Sequence, residues 1–438
     1  MHNDKESPYT LALLNDGLTV QVSQFSGRES LNQPYRFDIE VIGLTPAIKL
    51  EQLLHQPAFL CLGGETGIHG LLHSVRREHR GPNGIGYNLV LVPRLQQLDG
   101  QRHRRVFHQL SVPDILRQLL TENALPTDSY RFELPSPRYP VRPFCIQFEE
   151  SDLAFLQRLC EEEGIHFHFE HQRAGHVLVL ADDSLSFPQA PRLMPFHGET
   201  AESANGPVIR ELFQRHASPT PGANPIAPCL DRAQVSRRIL ERLRCKHRQI
   251  EGQSNHRDLR SGCIVQVSEH PITNFNDQWL LTDIQHQCQQ PSILSEVAPG
   301  RAWHYSNQFS AIPWSTVFRP ALKQARPVIA GLQPARVLGP VGQPAVLDDQ
   351  GRIHVSLWPT PLTDEIAGLW IPLALATPDG RIDPSRLPLA GTEVLISFLD
   401  SDPDRPVLCA TAGNPPTPRS AYPPRSDGRL LLDWLVNR

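Results

Sequence analysis

Residues 147–171 read QFEESDLAFLQRLCEEEGIHFHFEH, and their pattern sets the fold class. Ser151 followed by Asp152 is a helix N-cap with an acidic first turn, which satisfies open backbone N–H groups and complements the helix dipole. Leu153, Leu156 and Cys160 recur at i, i+3 and i+7, the spacing of one buried helix face. Gly164 supplies the left-handed residue that ends a helix. Immediately afterwards Ile165, Phe167 and Phe169 alternate, the period of a half-buried strand. The segment predicts a short helix running straight into a strand.

Upstream the chain reads as β. Leu18, Val20 and Val22 alternate, as do Tyr35, Phe37, Ile39 and Val41, with turn signals at Gly27, Asn32–Pro34 and Gly63–Gly64. Ser111 with Asp114 three residues on opens another short helix that buries Ile115, Leu116, Leu119 and Leu120. Downstream, a third helix over about Arg232–Lys246 places Val235, Ile239, Leu240 and Leu243 on its packed side. Arg237, Arg238, Glu241, Arg242 and Arg244 fall on the other, read as a solvated or subunit-facing surface. Strands resume around Cys263–Val267 and Trp279–Thr282, a proline-rich stretch over 313–344 marks a boundary, and a last β segment runs from Arg352 to Ala410. The fold class is mainly β with short helices.

Composition agrees with that reading. The 42 prolines in 438 residues are about twice average usage, and each interior proline breaks a helix, so a long-helix protein is excluded. A net charge of −4, from 42 basic and 46 acidic residues, excludes the chain as a whole as an electrostatic nucleic-acid binder. No apolar run approaches the ~18–20 residues that span a bilayer, and Met1–Thr10 has neither the basic nor the apolar region of a secretion signal. A chain made and folded in the cytoplasm is expected. The eight cysteines form no CxxC pair and read as reduced, mostly buried thiols.

The search for chemistry returns little. There is no GxSxG, no phosphate-binding Walker loop and no HExxH, and nothing calls for a cofactor. His166 and His168 share one face of the strand, about 7 Å apart by strand rise, and are the only metal candidates. No second cluster supplies further ligands at a recognisable spacing, so they read as imidazoles on the polar face of an amphipathic strand. Asp400, Asp402 and Asp404 resemble the start of a calcium loop, but Arg405 and Thr411 stand where glycine and glutamate are needed, which leaves a tight acidic turn. The run Arg232–Arg248 and the patch Arg102, Arg104 and Arg105 are basic, with Glu241 and Glu251 interleaved in the first.

Several stretches together resemble one family, the VgrG (valine–glycine repeat protein G) spike proteins of the bacterial type VI secretion system. Residues 147–171 are similar to its ESDLAFLxRLxExEGIxYxFxH segment, with His166 and His168 where aromatic residues usually stand. Ser111-Val-Pro-Asp114, LERLRCKHRQIEGQS from Leu240 to Ser254, His270-Pro271 and Trp279–Thr282 follow in the family's order. So do Tyr305–Asn307, Ile312–Trp314, Phe318–Pro320, Gly351–Ile353 and Thr392–Pro406. The resemblance covers roughly residues 8 to 415.

The resemblance implies a phage-hub-like base over residues 1–325 with two related β-barrels, and an OB-fold collar over 331–412. A proline-rich linker and apolar tail over 413–438 follow. It further implies a homotrimer whose six barrels cap a hexameric tube of Hcp (haemolysin-coregulated protein). Such a spike carries or docks effectors, waits in the cytoplasm, and is fired through a target membrane without a signal peptide or membrane span of its own. It has no enzyme activity of its own. The sequence ends at Arg438, leaving no length for the family's needle, and residues 374–386 replace its WAGxxxG loop. Leu430, Leu431, Leu432, Trp434, Leu435 and Val436 are candidates to dock an effector, an Rhs-type protein or a tip protein. Two other readings stand beside this one: a phage or tailocin baseplate hub, and a hydrolase or metal-dependent effector using the His166/His168 region.

Overall fold

Alternating apolar residues build a closed ring from the first strands: β1 (Thr10–Leu13), β2 (Leu18–Ser30), β3 (Arg36–Ile42), β4 (Pro57–Gly63), β5 (Thr66–His79) and β6 (Ile85–Val92), with helix α1 (Leu50–Leu53) between β3 and β4. They pair antiparallel in the order β1-β4-β5-β6-β3-β2, and β1 returns to β2, so no edge is left between them. Val20, Val22, Tyr35, Phe37, Ile39 and Val41 fill the interior, while Leu18 at the strand start is exposed. The computed structural model describes residues 8–42, 49–79, 85–135, 139–198, 206–218, 232–289, 304–358, 368–374 and 387–411. It divides into two compact units, Met1–Pro327 and Val328–Arg438.

An insertion follows the first barrel: β7 (His103–Leu110), α2 (Val112–Glu122), β8 (Tyr130–Glu133), β9 (Arg142–Glu150), α3 (Asp152–Glu163), β10 (His166–Gln172) and β11 (Gly175–Ala181). The caps form as the sequence predicts. Ser111 Oγ accepts the Asp114 N–H at 3.4 Å and Ser151 Oγ the Ala154 N–H at 3.2 Å. Gly164 ends α3 at φ +74°, a conformation that a side chain would strain.

The second barrel comprises β12 (Arg192–Pro195), β13 (Ile209–His216), β14 (Arg248–Ser254), β15 (Ile264–Ser268), β16 (Gln278–Gln289) and β17 (His304–Pro313), with helix α4 (Arg232–His247) leading into β14. It repeats the first barrel's plan. The pairings β13–β14, β14–β17, β17–β16 and β16–β15 reproduce β2–β3, β3–β6, β6–β5 and β5–β4, all antiparallel. Even the bulges coincide: Val22/Gln24 matches Ile209/Glu211, and Leu72/Ser74 matches Leu281/Asp283. So do two loop hydrogen bonds, since the Leu72 N–H donates to the Gln56 carbonyl as Leu281 does to Cys263, and His55 to Leu72 as Gly262 to Leu281. β12 takes the place of β1 but runs the other way, parallel to β15, and the ring closes through a parallel bridge from Phe196 to Ile209.

The two barrels share one continuous sheet, because Gln24–Ser30 of β2 pair with Asp283–Gln289 of β16. Gly27 lies in this shared strand, and a Cβ there would sit 2.1 Å from the Phe37 ring carbon Cδ1. Gly27→Val is therefore expected to displace Phe37 and cost about 1–3 kcal/mol, read as a lower urea midpoint with unchanged m-value.

The second unit is a five-stranded barrel of β18 (Gln333–Val337), β19 (Ile353–Leu357), β20 (Leu369–Ile371), β21 (Glu393–Phe398) and β22 (Pro406–Thr411). The order is β20-β19-β18-β21-β22, and a parallel bridge from Leu373 to Leu408 brings β22 back to β20. That is the closure of an OB-fold. Ala335, Val337, Ile353, Val355, Ile371, Val394, Ile396 and Leu408 form its core. Asp400, Asp402 and Asp404 lie in a tight turn in which Asp402 Oδ1 accepts the Asp404 N–H at 3.0 Å and Asp400 pairs with Arg405. The cysteines among the described residues are all free thiols.

Candidate functional site

Helix α3 is buried on every side, not on one face only: Gln157, Arg158, Glu161, Glu162 and Glu163 are shielded as thoroughly as Leu156 and Cys160. Buried charges of this kind persist only when paired. Arg158 forks onto Glu150, with Nε to Oε1 at 2.7 Å and Nη2 to Oε2 at 2.8 Å, and its Nη1 reaches Glu162 at 3.0 Å. Arg142 bridges Glu162 at 3.2 Å and Glu163 at 2.7 Å. From α4, Arg238 donates to the other Glu163 oxygen at 2.8 Å, and Arg242 donates to the carbonyls of Pro320 and Glu161. Arg319 joins Glu241 of α4 at 2.6 Å to the Gly164 carbonyl at 3.1 Å, and Glu161 accepts the N–H groups of Lys323 and Gln324.

The result is one charge lattice tying β9, α3, α4 and the segment 319–326 together. Burial pushes the Glu162 carboxyl up, but Arg158, Arg142 and Arg326 outweigh it and hold the group below the usual glutamate range. Glu241 is held down in the same way by Arg319 and Arg237 against its desolvation. Burial, with Arg238 and Arg319 nearby, lowers Arg242 to about 10.

This lattice corrects the reading of the third helix. The charged residues Arg238 and Glu241 are buried, whereas Leu240 is 54% exposed and Val235, Ile239 and Leu243 are only half-buried. The physical reason is Glu161–Glu163, a run of carboxylates at a helix C-terminus, where the dipole disfavours them. They need buried cations, and α4 turns Arg238 inward to supply one, with Arg242 beside it on backbone carbonyls, while Arg237 and Arg244 stay exposed as expected. That run was the sequence signal for the lattice. Arg142, Arg158 and Arg319, its other members, carry no comparable mark.

His166 and His168 are likewise corrected. Neither lies on a wet face: they are 0% and 2% exposed, because the Phe187 loop closes over the strand, with ring centroids 4.5 and 5.0 Å away. His166 Nε2 meets Ser186 Oγ at 3.0 Å, and Glu161–Glu163 are engaged with arginines and backbone amides. Among the described residues no group of three His, Cys, Asp or Glu side chains comes together to hold a metal. Arg104 and Arg105 are spent on Glu149, Glu122 and Asp152. Leu430, Leu431, Leu432, Trp434, Leu435 and Val436 lie outside the described residues, as do most of residues 374–386.

The seam between the barrels carries a second polar constellation. Glu29 of β2 is buried and accepts from His286 Nε2 at 2.8 Å, and the other nitrogen of that ring meets Tyr305 Oη at 2.7 Å. On the outer face Asp283 of β16 holds Arg28 of β2 at 2.8 Å and Ser30 as well. A groove of about 860 Å³ runs over this seam, lined by Ser26, Arg28, Gln253, Gln285, Gln287 and Gln308. Amides and hydroxyls dominate it.

Comparison with known proteins gives the family. The profile of the phage tail baseplate hub family (GPD) matches residues 28–227 and 230–292, more than half the chain. The chain belongs to this family. As a hub it is 36% identical to the type VI secretion system spike protein VgrG5 of Pseudomonas aeruginosa PAO1, over 92% of this chain and 57% of that protein. It is 35% identical to VgrG4b of the same strain, over 92% and 56%. The hub thus spans a little over half the length of these relatives. Among solved structures it resembles the E. coli c3393 protein, at 27% identity and a TM-score of 0.71, over 90% of this chain and 97% of the other. That protein is described as a component of the type VI secretion system similar in structure to the T4 bacteriophage tail proteins gp27 and gp5. No helix among the described residues is long and apolar enough to cross a membrane.

Proposed function

We propose that this hub is the base of a type VI secretion spike: a homotrimer that caps the Hcp tube and carries or docks effectors. The observation that supports it most directly is the duplicated barrel. A chain holding two barrels of one plan gives six in a trimer, matching the symmetry of a hexameric tube to a threefold spike. The buried arginine–carboxylate lattice suits a part that transmits force, since it fixes the insertion against the second barrel through many coupled bonds. The work is mechanical and not enzymatic. Before firing the hub resides in the cytoplasm, and Leu430–Val436 are the proposed dock for an effector, Rhs-type or tip protein. The family match favours a phage or tailocin baseplate hub as the second reading, distinguished by which tube protein it caps.

Native mass spectrometry is expected to give a species of three times 49.2 kDa that associates with Hcp. A chain that stays monomeric with and without Hcp would falsify the assignment. Deleting residues 423–438 is expected to leave the trimer intact and to abolish recovery of the docked partner. Unchanged recovery removes the docking proposal alone.

A further inference from the structure

A cavity of about 390 Å³ lies between the insertion and the two barrels. His168–His171 of β10 line it as four consecutive residues, from both faces of the strand, so the cavity runs along the strand's edge. That edge is open, because β10 pairs only with β11, in the order β10-β11-β8. The far walls are Glu65–Gly67 at the start of β5 and Arg260–Cys263 before β15. They are tied together where Thr66 Oγ1 donates to Asp258 Oδ1 at 2.7 Å.

The neighbouring hydrogen bonds fix which way the main chain faces. Phe167 turns its N–H and C=O away from β11, onto Asn32 Oδ1 at 3.3 Å and the Asn32 N–H at 3.0 Å. Leu178, opposite Phe169, gives its N–H to the Ser129 carbonyl at 2.9 Å, outside the β10–β11 pair. By alternation, Phe169 and His171 turn their N–H and C=O groups to the open edge. Among the described residues these groups have no partner, and Phe169 is only 9% exposed. His168 is buried with both ring nitrogens unpartnered, and His171 Nε2 is unpartnered as well. Buried polar groups are paired almost without exception in native structures, so a set of this size on one cavity calls for a ligand.

We propose that the open edge of β10 is a binding site for a partner polypeptide, which adds a three-residue extended segment to this sheet. The ligand residues opposite Phe169 and His171 each exchange an N–H and a C=O with the strand, so main-chain bonds supply the affinity. The ligand residue between them stands opposite Glu170 and on its face, diagonal to His168. A serine or threonine hydroxyl there both donates and accepts, which is the pairing a neutral imidazole needs. Burial keeps His168 neutral, with its titration lowered to about 4. Around the cavity Arg192 and Arg260 stand against Glu65 and Asp258, and Glu170 is already forked by Arg131, so an uncharged segment fits best. The cavity is in the size range of small-ligand sites. The site requires neither the trimer nor the tube.

The probe is the blocked peptide acetyl-Val-Thr-Val-amide, added to the full chain, and the readout is amide hydrogen exchange resolved to Phe169 and His171. With a Kd of about 1 mM, about 10 mM peptide is expected to slow exchange at both amides about tenfold. The same peptide N-methylated at both valines is expected to leave exchange unchanged. Ala190 lines the cavity and is exposed, so Ala190→Trp is expected to fill the cavity and abolish the slowing while the thermal midpoint holds. No slowing in the parent chain, or equal slowing by the methylated peptide, overturns strand addition. Slowing that persists in folded Ala190→Trp puts the peptide elsewhere and overturns the site. Without peptide, exchange as slow as at Glu170, whose amide pairs with β11, overturns the partner segment: it assigns the edge to this chain's own residues, or to a second copy if the protection rises with protein concentration.

Discussion

Arg158→Met is expected to lower the stability of the base by about 3–5 kcal/mol, seen as a fall of several degrees in the thermal midpoint. Methionine roughly fills the space, so the loss is electrostatic and not a cavity. The guanidinium makes three bonds to Glu150 and Glu162 and a fourth to the Ile146 carbonyl, at a site only 3% exposed. Without it Glu150 loses its fork, and Glu162 keeps only Arg142 and Arg326. Removing one partner of a buried pair costs more than the pair is worth, because the other charge stays desolvated. The matching change Glu162→Gln, added to Arg158→Met, is expected to recover part of the loss, with a coupling of roughly 0.5–3 kcal/mol in a double-mutant cycle. Strictly additive effects, or a single variant within about 1 kcal/mol of the parent, would show that the lattice does not stabilise the base.

What the sequence made legible was local. Period-two alternation located β2, β3 and β10, and the Ser111, Ser151 and Gly164 signals set the start of α2 and both ends of α3 within a residue. The orientation of α4 was not legible, since periodicity reports which residues share a face and not which face is buried. There the partner charges on α3 decided, and they are distant in sequence. The two histidines were misplaced for a similar reason: a strand covered on both faces loses its polar side when a loop such as that of Phe187 closes over it. The barrel duplication left no sequence repeat because a β pattern is met by many residues; Gln24 and Glu211, or Ser74 and Asp283, share a bulge and nothing else.

Acid is expected to weaken the base well before its carboxylates titrate. Burial first, then Arg94, lowers His69 to about 4, and burial, His69 and Arg94 lower His176 to about 3. Burial also dominates at His168, lowered to about 4, and holds His166 and His171 well below the usual range. The geometry agrees. The Arg94 N–H donates to His176 Nε2 at 3.0 Å, so the ring's remaining proton on Nδ1 faces His69 Nδ1 at 2.9 Å, and the His69 N–H donates to His171 Nδ1 at 3.3 Å. A second proton on His176 or His171 would have to break one of these bonds inside the core. These folded-state values lie below the ~6.5 of an unfolded histidine, so the unfolded chain binds protons first as pH falls. The contribution is complete above about pH 6.5 and is lost towards the folded values, about 4 for His69 and His168 and about 3 for His176. Each such histidine adds a slope of at most ~1.4 kcal/mol per pH unit, and the set together should move the urea midpoint steeply between pH 6.5 and 5. His166→Tyr and His168→Phe, which restore aromatic rings against Phe187, are expected to flatten that slope without lowering stability at pH 7.5. A midpoint that holds steady from pH 7 to 5 would mean that these imidazoles accept protons in the folded base, and that the closed packing around β10 opens readily.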